Sequence, residues 1–299
     1  MIDRDALYID QLLSGIRSIK NFKPQFGQGR AVSQDEFQVL YSADPLYRWI
    51  GFDSPLMYAA HRAGGAMTSL YRHLGAGCEH LFQAVLRDSL GLTPDQIKWQ
   101  YVVSTEDVQT FAGTAEPTLH AEDIAEIAGT AEDREEGEVP RKGKRNSLDG
   151  RIDLADVKDH VAHDRVATWL AQLQQRQSLT WEPMGSVFEV RQGYKSMDAK
   201  RQAADIANAA QALGRQRVPV LVIFSNQIDD NLIRRYGLSG WLILRGIVEG
   251  KAKDDPLLST YAFMEQVVGY DLAGFFDRNT ATIRHEVTTV LDTLLTTAT

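Results

Sequence analysis

The sequence predicts an α/β fold, a mixed central sheet flanked by helices, with helical segments added at both ends. Three observations carry this. Ser186–Gln192 alternates, with Val187, Glu189 and Arg191 on one face and Phe188, Val190 and Gln192 on the other. After Gly193 the period becomes helical from Met197, so a strand leads into a helix. Val218–Phe224 and Trp241–Leu244 are apolar without alternation, as strands covered on both faces are.

The elements follow in order. Ala6–Ile19 carries Ile9, Leu12, Leu13, Ile16 and Ile19 at helical spacing. Ser33 and Glu36 have capping-box spacing before Phe37, Val39 and Leu40. Ser54 and Pro55 read as the N-cap and first residue of a helix that Gly64-Gly65 interrupts. Leu74–Leu90 is a separate helix closed by Gly91, burying Leu74, Cys78, Leu81, Phe82, Val85 and Leu86, with Glu79 at the margin of that stripe. Ile97, Trp99, Tyr101 and Val103 then alternate as the first strand. Val157–Leu173 is an inserted helix holding Trp169. In the helix after Gly193, Ala199, Ala203, Ile206, Ala207, Ala210 and Leu213 form the apolar stripe, with Lys200, Arg201, Gln202, Asp205 and Asn208 around it. The tail from Thr260 is helical, with Phe275 and Phe276 as core. The expected organisation is a helical region over 1–73, a catalytic core over 74–246 and a helical region over 247–299.

Composition narrows the function. With 299 residues and 43% hydrophobic content, the chain can bury one large core or two modest ones. The opening MIDRDALYIDQLL has no basic region followed by an apolar run, and no stretch is long enough to span a bilayer, so a cytoplasmic protein away from membranes is expected. The lone Cys78 excludes disulfides and cysteine-rich zinc sites. Neither GxxxxGK[ST] nor GxGxxG occurs, and there is no GxSxG elbow, which weighs against nucleotide triphosphatases, dinucleotide enzymes and α/β-hydrolases. The net charge of −8 argues mildly against nucleic acid. Yet eleven acids against one arginine lie between Glu106 and Glu138, inside an acidic insertion near 106–145 that turns basic at Arg141, Lys142, Lys144 and Arg145. A metal-dependent nuclease also needs carboxylates, whose bound cations reverse the local sign.

The stretch SVFEVRQGYKSMDAKRQAADIANAAQAL resembles the core of the PD-(D/E)XK nuclease superfamily, above all the Type II restriction endonucleases, and EVRQGYKSMDAKRQAADIANA is similar to ApaLI-like enzymes among them. There a strand carries (D/E)xK and a helix packs behind it. The resemblance covers roughly residues 70–246 in element order, with only this stretch specific in letters. It implies a restriction-endonuclease-like core and Mg2+-dependent cleavage of double-stranded DNA. Leu148-Asp149-Gly150 resembles the family's first metal-binding acid, with Asp153 and Asp156 competing for that place. Asp149, Glu189 and the Val190 carbonyl would then be the metal ligands. Gly75–Phe82 resembles the preceding helix, whose glutamate, here Glu79, reaches the site in several members. Arg191 stands where the family has lysine. It stays protonated and so binds phosphate but cannot act as a base. Lys195, past the Gly193 bend, is the candidate catalytic lysine, with Lys200 second; Lys200 and Arg201 are also candidate DNA contacts. Two other functions stay open: an inactive DNA-binding or regulatory protein of the same fold, and a repair or RNA nuclease. Glu189 and Arg191 also read as a simple salt-bridged pair on a half-exposed strand.

One site of this kind hydrolyses one strand, so a double-strand break requires two sites or two events. A two-fold homodimer supplies both and makes the recognised sequence symmetric. Light scattering at micromolar protein should give about twice 33.4 kDa. A strict monomer that cuts an asymmetric sequence would exclude the dimer.

Overall fold

The computed structural model describes residues 4–22, 25–26, 30–31, 33–43, 53–102, 145–193 and 199–296. Among these are eight α-helices and a four-stranded mixed sheet. The chain forms two compact units: residues 1–84 with 272–299, and residues 85–271. The two terminal helical segments thus share one unit, whereas residues 247–271 belong with the sheet. The acidic insertion lies outside the described residues apart from Arg145.

In the first unit, α1 (Arg4–Ser18) buries Tyr8, Leu12, Leu13 and Ile16, and β1 (Gln25–Phe26) and β2 (Arg30–Ala31) pair antiparallel after it. α2 (Gln34–Ala43) begins with the expected capping box: the Ser33 N–H donates to Glu36 Oε2 at 2.9 Å, and the Glu36 N–H donates to Ser33 Oγ at 3.3 Å. Ser54 caps α3 (Pro55–Leu90), accepting from the Met57 N–H at 3.2 Å. α3 is one helix of 36 residues, so Gly64-Gly65 does not interrupt it and Leu74–Leu90 is not a separate element. Its glycines make close approaches instead. A Cβ on Gly65 would lie 2.8 Å from the Phe22 ring, and one on Gly77 would lie 2.2 Å from the Leu12 carbonyl oxygen. A glycine inside a helix costs roughly 1 kcal/mol against alanine, which close packing over so many turns outweighs.

The last helix, α8 (Leu272–Thr296), packs on α1, with Tyr8 and Phe275 edge to face at 6.1 Å. Arg17 grips the Glu286 carboxylate with two nitrogens, the Nη2–Oε1 distance being 2.9 Å. These hydrogen bonds are the main reason the Glu286 carboxyl lies below its ordinary range and the Arg17 guanidinium above its own. Burial pushes the Cys78 thiol up to about 12, so it is an inert packing group.

The second unit holds the sheet. β3 (Trp99–Val102) pairs antiparallel with β4 (Arg145–Leu148), and β5 (Gly150–Asp153), β6 (Gly185–Arg191), β7 (Arg217–Ile223) and β8 (Leu242–Leu244) follow in that order. β5 runs antiparallel to β6, while β6, β7 and β8 are mutually parallel. Ile97, expected in the first strand, lies in the turn before it, and Val103 is outside the described residues. α4 (His160–Arg176), capped by Asp159, covers one face of the sheet unit's core: Trp169 meets Phe263 at 4.8 Å, and Phe188 of β6 meets Phe263 at 5.7 Å. Phe263 belongs to the short α7 (Thr260–Phe263). The other face packs against α5 (Ala199–Leu213) and α6 (Asp230–Leu238), where Val187, Leu221 and Ile223 cluster with Ala209, Ala212, Leu232, Tyr236 and Trp241. With helices on both faces, Gly185–Val190 of β6 and Val218–Ile223 of β7 are buried throughout. Among the described residues no helix is long and apolar enough to cross a membrane.

The glycines of α3 give a paired test. Gly77→Ala should destabilise the protein by roughly 1–3 kcal/mol, because a backbone carbonyl must give way. Gly75→Ala meets nothing within 4 Å and should stabilise by about 0.5–1 kcal/mol. Urea unfolding of the two variants checks both signs.

Candidate functional site

The site begins with a break in strand pairing. β4 pairs with β3 and β5 pairs with β6, and Asp149 is the single residue between β4 and β5. The β5–β6 ladder ends at the pair Gly150–Phe188. One step further out, Asp149 comes opposite Glu189. Its Oδ2 accepts the backbone N–H of Val190 at 2.7 Å, so a carboxylate takes a donor that the backbone ladder no longer reaches. The N–H and C=O of one strand residue point to the same side, so the Val190 carbonyl also faces the Asp149 side of β6. Asp149 is half-buried and Glu189 is 7% exposed.

The competing acids are elsewhere. Asp153 closes the other end of β5, opposite Gly185, about 13 Å from Asp149 at roughly 3.3 Å per residue. Arg217 holds it with Nε and Nη2 at 2.7 and 3.0 Å, and Arg151 lies 3.4 Å away. Asp156 accepts from Gln96 Nε2 at 3.1 Å. Of the three aspartates, only Asp149 stands beside Glu189.

Glu189 and Arg191 follow Val187 at intervals of two, so they share the face of β6 turned toward α5. Here the burial pattern of α5 corrects the sequence reading. The expected apolar stripe of Ala203, Ile206, Ala207, Ala210 and Leu213 is only half-buried. The buried stripe is Gln202, Asp205, Asn208, Ala209 and Ala212, of which Gln202 and Asp205 are 2% and 4% exposed. Alanines at the C-terminal half of α5 meet Val187 and Leu221, and polar residues at its N-terminal half accompany Glu189 and Arg191. Burying polar groups costs free energy unless each finds a partner, and across this layer Gln202, Asp205 and Glu189 find theirs.

Arg191 Nη2 contacts Glu189 Oε1 and lies 3.8 Å from Asp205 Oδ2. The same Oδ2 accepts the Tyr236 hydroxyl at 2.6 Å, and the Asp205 carbonyl accepts Trp241 Nε1 at 3.2 Å. Arg235 Nη1 donates to Gln202 Oε1 at 2.6 Å. Glu189 from β6 and Asp205 from α5 thus meet at one guanidinium, and Tyr236 and Trp241 hold Asp205 in turn. Arg191 is a half-buried counter-ion at the end of an otherwise buried strand, and its partner Glu189 is buried, so the pair does not sit on a half-exposed strand.

The remaining predicted site residues divide. Lys195 lies outside the described residues, and Lys200 and Arg201 are placed on the first turn of α5. Glu79 belongs to the first unit, half-buried on α3, where its Oε1 accepts Gln83 Nε2 at 3.2 Å. Asp205 and Tyr236 went unrecognised. The spacing of Gln202, Asp205, Ala209 and Ala212 was the available signal, since it makes a stripe as regular as the apolar one.

Among the described residues no group of three or more His, Cys, Asp and Glu side chains is arranged to hold a metal ion. Asp149, Glu189 and the Val190 carbonyl would together offer a smaller, all-oxygen donor set, of a chemistry that suits a hard divalent cation such as Mg2+. No protein-family model, no curated protein and no solved structure matches the chain.

The buried network makes a stability prediction. Arg191→Met leaves Glu189 and Asp205 without their shared cation and should destabilise the sheet unit by about 3–5 kcal/mol. Urea unfolding measures it, and a loss below about 1 kcal/mol would show that the pair is solvated.

Proposed function

We propose that the chain is a Mg2+-dependent, sequence-specific endonuclease of double-stranded DNA with a restriction-endonuclease-like core. The observation that carries this is the seating of Asp149 on the Val190 N–H, beside Glu189, on a strand that leads into a helix. Rigid strands fix both acids, and the mixed sheet with helices on either face agrees with the element order of that superfamily.

In this reading Asp149, Glu189 and the Val190 carbonyl would hold the ion. When bound, it polarises the phosphodiester and lowers the pKa of a water. The protein's own share is positional. The Asp149 carboxylate is fixed by a backbone hydrogen bond, and Glu189 is oriented by Arg191. Arg191 stays protonated and so supplies positive charge next to the phosphate-binding edge without taking up a proton. Proton transfer is left to a titratable group, for which Lys195, shortly after the Gly193 bend, is the candidate. Lys200 and Arg201, on the first turn of α5, are candidate contacts to DNA phosphates. The enzyme is proposed as a homodimer, in which two such sites cut opposite strands.

One feature favours a second reading. The cation at the lysine position is bound to Glu189, as it would be in a DNA-binding protein of this fold that does not cut. Incubating supercoiled plasmid with the purified protein and Mg2+ separates the two. The nuclease reading expects nicking and discrete fragments, abolished by EDTA. Glu189→Ala and Asp149→Ala should each lower the rate beyond the roughly 100-fold typical of losing an outer partner of a metal ligand. Full activity in both variants, or DNA binding without cleavage by the native protein, would overturn the proposal.

A further inference from the structure

The buried carboxylate of Asp205 is unexplained by packing. A helix that faces a sheet normally presents apolar side chains, yet α5 sets a carboxylate that is 4% exposed against the polar end of β6. Three groups hold it there: the Tyr236 hydroxyl at 2.6 Å, the Arg191 guanidinium at 3.8 Å, and Trp241, which fixes the Asp205 backbone through its carbonyl at 3.2 Å. The guanidinium in turn contacts Glu189. Two buried carboxylates therefore share one permanent cation, one from the strand and one from the helix.

That sharing has a direction. A guanidinium bound to Glu189 competes with any cation that Glu189 ligates. A second carboxylate, held by Tyr236 and 3.8 Å from the same Nη2 that contacts Glu189, draws part of that charge away. It also keeps Arg191 compensated when Glu189 turns to another cation, which avoids a buried charge without a partner. We infer that Asp205 is a positioning residue for the Glu189 carboxylate, acting through Arg191, so that Glu189 can ligate a divalent ion. This rests on the nuclease reading of the site.

Removing the charge while keeping the shape tests it. Asp205→Asn should weaken Mn2+ binding by about 10–100-fold, measured by titration calorimetry on the folded protein without DNA. Tyr236→Phe, which keeps the carboxylate and loses its anchor, should weaken it in the same direction, and carries the test if Asp205→Asn does not fold. With Arg191→Lys in place, the effect of Asp205→Asn should be non-additive. A purely structural role lowers the unfolding midpoint and leaves the ion affinity of the folded protein unmoved. Native affinity in Asp205→Asn, or in Tyr236→Phe where only that variant folds, overturns the inference and leaves the nuclease reading standing. Full additivity likewise removes the action through Arg191. A native protein that binds no Mn2+ and does not nick plasmid overturns both.

Discussion

The sheet unit depends on one guanidinium. Arg191 reaches from the end of β6 between Glu189 on its own strand and Asp205 on α5. Taking charges out of water costs several kcal/mol for each ion, and mutual attraction compensates only where geometry and further hydrogen bonds are good. On the Asp205 side the surrounding groups meet that condition. Tyr236 satisfies Asp205, Trp241 ties down the α5 backbone, and Arg235 holds Gln202 one turn earlier. An apolar layer of the same volume would stabilise as well or better, so the ions fix where α5 sits along β6 more than they add stability.

The same layer explains why the two ends of α5 differ. Toward its C-terminus, Ala209 and Ala212 allow close approach to Val187 and Leu221, and the contact is apolar. Toward its N-terminus, the polar stripe matches Glu189 and Arg191. β6 changes character at the same level, from Val187 to Glu189, and the β5 ladder ends there as well. Asp149 fills the gap with a side-chain acceptor. A break in pairing, a buried acid and a polar helix face thus coincide at one end of the central strand.

Much of this was legible in the sequence. The switch from period two to helical spacing at Gly193 located β6 and α5, and the unbroken apolar run at Val218 located β7. The two acids beside each other, Asp149 and Glu189, were both named from short patterns. What failed failed for physical reasons. Gly64-Gly65 in α3 reads as a break, but the small size of Gly65 serves a contact with Phe22 that lies far off in sequence. The buried face of α5 was assigned by hydrophobicity, a rule that inverts when the facing strand carries an ion pair. Nor could local spacing reveal that Tyr236, on another helix, completes Asp205.

Arginine in place of lysine has a consequence that reaches beyond one position. A buried lysine shifts its pKa readily and can give up its proton, whereas arginine cannot. At this place in β6 the permanent charge allows the residue to be shared between two carboxylates at any ordinary pH. An arginine here therefore separates two tasks that a lysine could combine: holding the acid in place and exchanging a proton. In the proposed enzyme the first belongs to Arg191 together with Asp205, and the second has to come from a residue outside the sheet–helix layer. Arg191 and the buried acid on α5 are then coupled, since removing Arg191 leaves two buried carboxylates without the cation they share.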